Sequence, residues 1–272
     1  MRPLMNSRPW NYLTNCLLIP FLLVSCQKVI DVKLENGATL YVIEGIITDQ
    51  AAPWQVSISQ TKDFSDDNNF PGLSGAMVTI EHNGMVTALS EKSSGIYQSP
   101  ALQGIPGDTY HLTAIIQGQS FTAASTMPMP VELDSIYITT GRFSKDKLVT
   151  TVYKDPAGIL NYYRSVQYVN GKKEKTIFVD NDEFTDGQLV KSPLNFDNGT
   201  DDSTRKIKSG DLVRIDLLSI DPMVYKYWYS LEEGGTGNGW NGSPSNPASN
   251  ISGGAMGYFS AHTQRSRSIV VP

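Results

Sequence analysis

Among the side chains able to do chemistry, Cys26 has the most informative setting. It closes the run Leu17-Leu18-Ile19-Pro20-Phe21-Leu22-Leu23-Val24-Ser25-Cys26, with Arg2 and Arg8 upstream and the small Ser25 just before the thiol. A positive leading region, a short apolar core and a small residue at the cut are the marks of a secretory signal. A membrane-spanning helix needs about 20 apolar residues. The run is well short of that and reads as a leader ending at Ser25. Cys16, the only other cysteine, lies inside the leader and leaves with it.

The tetrad Leu23-Val24-Ser25-Cys26 resembles a bacterial lipobox. The resemblance implies that Cys26 is lipidated, taking a diacylglyceryl group at sulfur and becoming the first residue of the mature chain. Two or three acyl chains anchor stably where one is marginal. On this reading residues 1–25 are signal peptide and residues 26–38 a lipidated tether. No thiol is then left for a disulfide, a metal site or a nucleophile, which excludes cysteine catalysis.

The remaining reactive residues make weaker patterns. His82, His111 and His262 are the only histidines, and no two stand at metal-ligand spacing. His82, beside Asn83-Gly84, reads as a solvated turn residue and His111 as a strand residue. The acidic segments 63–68, 180–186 and 197–202 offer hard oxygen ligands of the kind calcium takes. They lack the spacing and closing glutamate of a calcium loop, so they read as solvated loops and no metal site is assigned. There is no Gly-x-Ser-x-Gly elbow and no phosphate-cradling Gly-Lys-Ser/Thr loop, so no cofactor is expected. Hydrolysis of a glycoside would need two carboxylates at a set separation, and no pair can be placed.

One long loop stands apart. Residues 234–247 are glycine, asparagine, serine, proline and one threonine around a single aromatic, Trp240. Unstructured loops of about 15 residues are usually functional or disordered. Trp240, flanked by Asn238 and Asn241, either stacks on a sugar or fills a partner's pocket, or packs back on a helix face near Trp228. Asn238, Trp240 and Asn241 are the candidate ligand- or partner-binding residues.

Charge narrows the partners. The chain has 272 residues, 22 Lys and Arg against 27 Asp and Glu, and a formal net charge of −5. Losing Arg2 and Arg8 makes the mature chain more acidic still. Without a basic patch there is no footprint for nucleic acid, nor for anionic lipid.

The elements that position these residues are mostly strands. Residues 39–48 are rich in β-branched and aromatic side chains, with Gly45 a candidate bulge. Residues 54–59 alternate strictly, so one face is buried. Residues 76–81 and 85–90 flank Asn83-Gly84, a type I′ hairpin signal, and residues 110–116 and 119–124 form a second hairpin at Gly118. Strands at this spacing argue for an immunoglobulin-like β-sandwich over residues 39–127. Met127-Pro128-Met129-Pro130 cannot join a ladder and marks a boundary. Residues 131–272 then read as a second β-rich domain with one short helix. That helix has Asp221 as N-cap, Pro222 in its first turn, and Val224, Tyr227, Trp228 and Leu231 on one face. The fold class is therefore mainly β.

Several motifs occur together and in order. They are Glu44-Gly45-Ile46-Ile47-Thr48, Gly104-Ile105-Pro106-Gly107-Asp108-Thr109-Tyr110, Asp221-Pro222-Met223-Val224-Tyr225-Lys226-Tyr227-Trp228, and Asn246-Pro247 followed by residues 250–259. In this arrangement the chain resembles the Bacteroidota outer-membrane lipoproteins catalogued as domain-of-unknown-function family 4249. The resemblance implies an outer-membrane lipoprotein, often encoded near TonB-dependent transporters, and no reaction. The expected function is a non-enzymatic binding or accessory component of a TonB-dependent nutrient-uptake system. The alternative is a structural or adhesive cell-envelope lipoprotein. The face of the membrane stays open, because Gln27 and Lys28 follow Cys26 where surface-exported lipoproteins of this phylum tend to carry acids.

Overall fold

The computed structural model describes residues 39–62, 70–141, 145–195, 206–235 and 246–272. The first sandwich is built from β1 (Tyr41–Thr48), β2 (Ala52–Gln60), β3 (Met77–His82), β4 (Met85–Ser93), β5 (Ile96–Leu102), β6 (Thr109–Ile116) and β7 (Gln119–Thr126). Alternation decides their faces. In β2 the buried residues Trp54, Val56 and Ile58 point inward and Gln55 and Ser57 outward. Both expected hairpins form, and their turns have positive φ at both central residues, Asn83 (49°) with Gly84 (79°) and Gln117 (50°) with Gly118 (84°). That is the I′ geometry whose twist suits a two-residue hairpin.

The strand β4 turns the corner of this sandwich. Its first half pairs with β3 through Met85 to Leu89, and its second half pairs with β5 from Ser90 onward, with a register shift between Glu91 and Ser93. The sheet thereby folds over one core containing Ile43, Val56, Ile80, Tyr97, Leu112 and Phe121. Gly45 is not a bulge. Its register with Val56 and Phe259 is regular, and a Cβ there would lie 2.6 Å from Phe259 Cδ2. The glycine makes room for the aromatic ring of its neighbouring strand.

A second set of strands follows, comprising β8 (Leu133–Thr140), β9 (Lys147–Lys154), β10 (Tyr162–Val169), β11 (Lys172–Lys173), β12 (Phe178–Asn181), β13 (Leu189–Leu194), β14 (Leu212–Ser219), β15 (Ile251–Ser252) and β16 (Met256–Val270). Strands β13, β9 and β8 form a separate three-stranded sheet. Its Leu133, Val149 and Tyr153 share a second core with Tyr163, Val213 and Ile215 of β10 and β14.

Met127–Pro130 separates these two cores without separating two bodies. Ala38–Pro272 form one compact unit, and β16 is the reason. Its residues 256–262 run parallel to β1, and residues 263–270 run antiparallel to β14. Ile251, Ala255, Phe259 and Ala261, near the C-terminus, therefore belong to the first core. The join is fixed by side chains. Asn250 accepts a hydrogen bond from Phe259 N (2.9 Å) and donates to Phe259 O (2.8 Å), and Ala261 N donates to Ser125 Oγ (3.0 Å).

The helix α1 (Pro222–Gly235) lies on the outer face of the long sheet. Asp221 caps it as expected, with Oδ1 accepting from Met223 N at 2.8 Å. Its other oxygen accepts from Thr126 N of β7 at 3.1 Å, which ties the helix start to the first sandwich. Val224 and Tyr227 bury against Val166, Leu218 and Tyr258, with Trp228 and Leu231 partly buried beside them. Among the described residues no helix is long and apolar enough to cross a membrane.

Candidate functional site: a cationic and aromatic cleft beneath the helix

Alternation along β10 sends Tyr162, Arg164, Val166 and Tyr168 to the face that α1 covers. The Arg164 guanidinium carbon lies 3.3 Å from the centroid of the Trp228 ring, a close cation–π stack. Two adjoining hollows, of about 150 and 320 Å³, share Arg164, Lys173 and Trp228 as walls. The smaller reaches inward to Tyr258, Ser260 and His262, and the larger opens toward residues 174–177.

Two cations, Arg164 and Lys173, face the cleft, with Asp216 lining the smaller hollow and Glu44 close enough to act on both. Burial pushes the Arg164 pKa down, against the pull of the surrounding tyrosines and Glu44. Lys173 stands at the open rim, and partial desolvation and then the Arg164 charge push its ammonium down. Arg164 Nε is buried and has no hydrogen-bond partner among the described residues. Tyr227 is pushed up to about 12 by burial, reinforced by Glu44 and opposed by Arg164. Tyr258 moves in the same direction for the same reasons. An anionic group entering the larger hollow would meet two cations and an aromatic wall, while Asp216 lines the smaller one.

Ser260 and His262 sit two apart on one face of β16, with Ser260 Oγ 2.9 Å from His262 Nδ1. The pairing is that of a nucleophile and base, but its setting is wrong for the reaction. Burial, then Arg164, lower the His262 pKa to about 4, so at neutral pH it is a poor proton acceptor. Ser260 is 2% exposed. Asp49, which could complete a triad, is engaged by Arg265 Nη1 at 2.6 Å and Gln264 N at 2.9 Å.

The other histidines stand apart from this cleft. His82 is not a free turn residue. It ends β3, lies 2.7 Å from Asp108 Oδ2 and stacks on Tyr110 with centroids 4.5 Å apart. His111 is an exposed strand residue of β6. Cys26, Asn238, Trp240 and Asn241 lie outside the described residues, as do the acidic segments 63–68 and 197–202. The described chain on either side of residues 236–245 meets at α1, where Ala248 N donates to Ser230 Oγ at 2.9 Å. Trp228 was legible in the sequence as a helix-face aromatic. Arg164 carried no sequence signal beyond being a charge inside a strand, and only α1 crossing β10 makes it part of a site.

Residues 27–268 match the family described as Domain of unknown function (DUF4249). The chain belongs to that family. The match begins one residue past Cys26 and takes in the first core, α1 and the cleft. No curated protein matches the chain.

Proposed function

We propose that this DUF4249 chain is a lipid-anchored, non-enzymatic binding or accessory component of a TonB-dependent nutrient-uptake system at the outer membrane. The observation that carries the reading is the join at Cys26. A lipobox-like tetrad ends there, and the family match starts at the next residue. Acyl chains on Cys26 hold the body at the bilayer, and residues 26–38 act as the tether. The cleft of Arg164, Lys173 and Trp228 supports a binding role, since it combines cations with an aromatic wall and its histidine is held neutral by burial. Its ligand class is an anionic small molecule, such as a carboxylate or phosphate on a nutrient. Trp240, Asn238 and Asn241, which follow α1 in sequence, are the proposed contacts to ligand or transporter.

The test is made on the native protein extracted in mild detergent. Mass spectrometry is expected to find an acylated N-terminal Cys26, and Cys26→Ala is expected to move the chain out of the membrane fraction. Pulldown is expected to recover a TonB-dependent transporter, and gene deletion to slow uptake of one nutrient class. An unmodified first residue, or recovery of the native material in the cytosol, refutes the anchor. Unchanged uptake together with a transporter-free pulldown refutes the accessory role.

A further inference from the structure

A second polar site lies where β9 ends, away from the cleft residues. Asp155 follows directly on β9, while Asp182 and Asp186 lie in the loop between β12 and β13. One carboxylate oxygen from each of the three lies within 4.8 Å of one from each of the others. Asp155 is 1% exposed and Asp182 2% exposed, while Asp186 faces solvent. The expectation that residues 180–186 form a solvated loop therefore fails for Asp182. The required partner, Asp155, comes just after β9, well before the loop, and could not be read from local spacing.

The hydrogen bonds at this site are nearly complete, and what is left over has one character. Asp155 accepts from the Tyr163 hydroxyl (2.5 Å) and from Gly187 N (2.9 Å). Asp186 Oδ1 accepts from Gly158 N (2.7 Å), and Asp182 Oδ2 from Asn161 N (2.8 Å). Asp182 Oδ1 and Asn161 Oδ1 are buried and have no partner among the described residues. Both orphans are acceptors. Buried acceptors are normally satisfied, and an unpaired buried charge is costly. Among the described residues no ion pair includes Asp155, Asp182 or Asp186. The neighbouring cation, Lys154, donates to Gly187 O at 2.6 Å.

We infer that Asp155, Asp182 and Asp186 form a binding site for a divalent cation of the calcium type, to which the unpaired, buried Asp182 Oδ1 points. Three carboxylates are the hard donors such an ion takes. With Ca²⁺–oxygen distances of about 2.4 Å, opposed ligands can lie up to about 4.8 Å apart. The remaining positions, on the side where Asp186 is exposed, are open to water. The bound ion would tie the 182–188 loop to the end of β9 and the start of β10. Asn181, next to Asp182, donates to Tyr225 OH of α1 at 3.2 Å, so the same loop braces the helix.

Terbium tests this on the full-length, chelator-treated protein. Tyr163, hydrogen-bonded to Asp155, is placed to sensitise a lanthanide bound there. Tyrosine-excited Tb³⁺ emission is expected, competed away by Ca²⁺. Asp186→Asn, at an exposed position that leaves the folded body intact, and Asp182→Asn, which keeps side-chain shape, are each expected to weaken binding at least tenfold. Saturating Ca²⁺ is expected to raise the unfolding temperature of the wild type and not of Asp186→Asn. Absence of Ca²⁺-competed emission at millimolar Ca²⁺ overturns the inference, as does wild-type affinity in Asp186→Asn.

Discussion

His262 offers a measurement of how dry the region beneath the cleft is. It is 6% exposed, hydrogen-bonded to Ser260, and faced by the charges of Arg164 and Asp49. Burial and then Arg164 depress its pKa from 6.5 to about 4, with Asp49 opposing. Above pH 6.5 the imidazole is neutral in both folded and unfolded chains. As pH falls below 6.5 the unfolded chain takes up a proton that the folded chain refuses until about pH 4. The stability this group contributes is therefore complete above pH 6.5 and lost progressively down to about 4. At 1.36 kcal/mol per pKa unit, the loss is about 3 kcal/mol.

Carboxylates titrate in the same window, so the signal is isolated by difference. His262→Gln keeps a polar side chain beside Ser260 and removes the titration. Urea unfolding of both proteins from pH 7.5 to 4 should show the wild type losing about 3 kcal/mol more than the variant. Their absolute stabilities at pH 7.5 are not the test, since the substitution also alters packing. Parallel pH profiles would refute the reasoning, for they would mean that water reaches the imidazole in the folded state.

Two further substitutions probe the joints of the fold. Gly45→Ala places a Cβ 2.6 Å from Phe259 Cδ2 and should cost about 1–3 kcal/mol by overpacking, partly recovered by adding Phe259→Leu, with thermal unfolding as the readout. Arg265 holds the buried Asp49 at 2.6 Å and the 63% exposed Glu132 also at 2.6 Å. Arg265→Met should cost about 3 kcal/mol by leaving Asp49 buried without its cation, whereas Glu132→Gln should cost under about 1 kcal/mol; equal losses in denaturant unfolding would contradict this assignment.

Legibility in this chain followed the range of the physics. Features decided within a few residues could be read directly. Strict alternation marked β2, Asn83-Gly84 marked a I′ hairpin, and Asp221-Pro222 marked the start of α1. Strand β13 has no such local signal, because it contains Pro193, a residue that normally argues against a strand. It is tolerated because β13 sits at the edge of its sheet, where one side needs no donor. His82 was read as solvated because its neighbours are turn residues, and its partner Asp108 comes from the start of a different strand pair. The proposed cation site repeats this pattern, since Asp155 and Asp182 meet only once β9 and β10 are in place.

The largest departure is the role of β16, and it follows from pairing rather than propensity. Proline at 128 and 130 does interrupt the ladder, and the two hydrophobic cores do divide there. A local signal of that kind marks where consecutive strands stop pairing. It carries no information about a strand more than a hundred residues later that returns to the first sheet. Because β16 is a single 15-residue strand, its two halves cannot reorient independently. The partner changes between His262, opposite Thr48, and Thr263, opposite Ser219. The cleft lies across that change, drawing Ile46 and Thr48 from β1, Asp216 and Leu218 from β14, and Ser260 and His262 from β16. The two cores are thus held in one fixed relation at the place where Arg164, Lys173 and Trp228 converge, which would pre-organise a rigid site and lower the ordering cost of binding there.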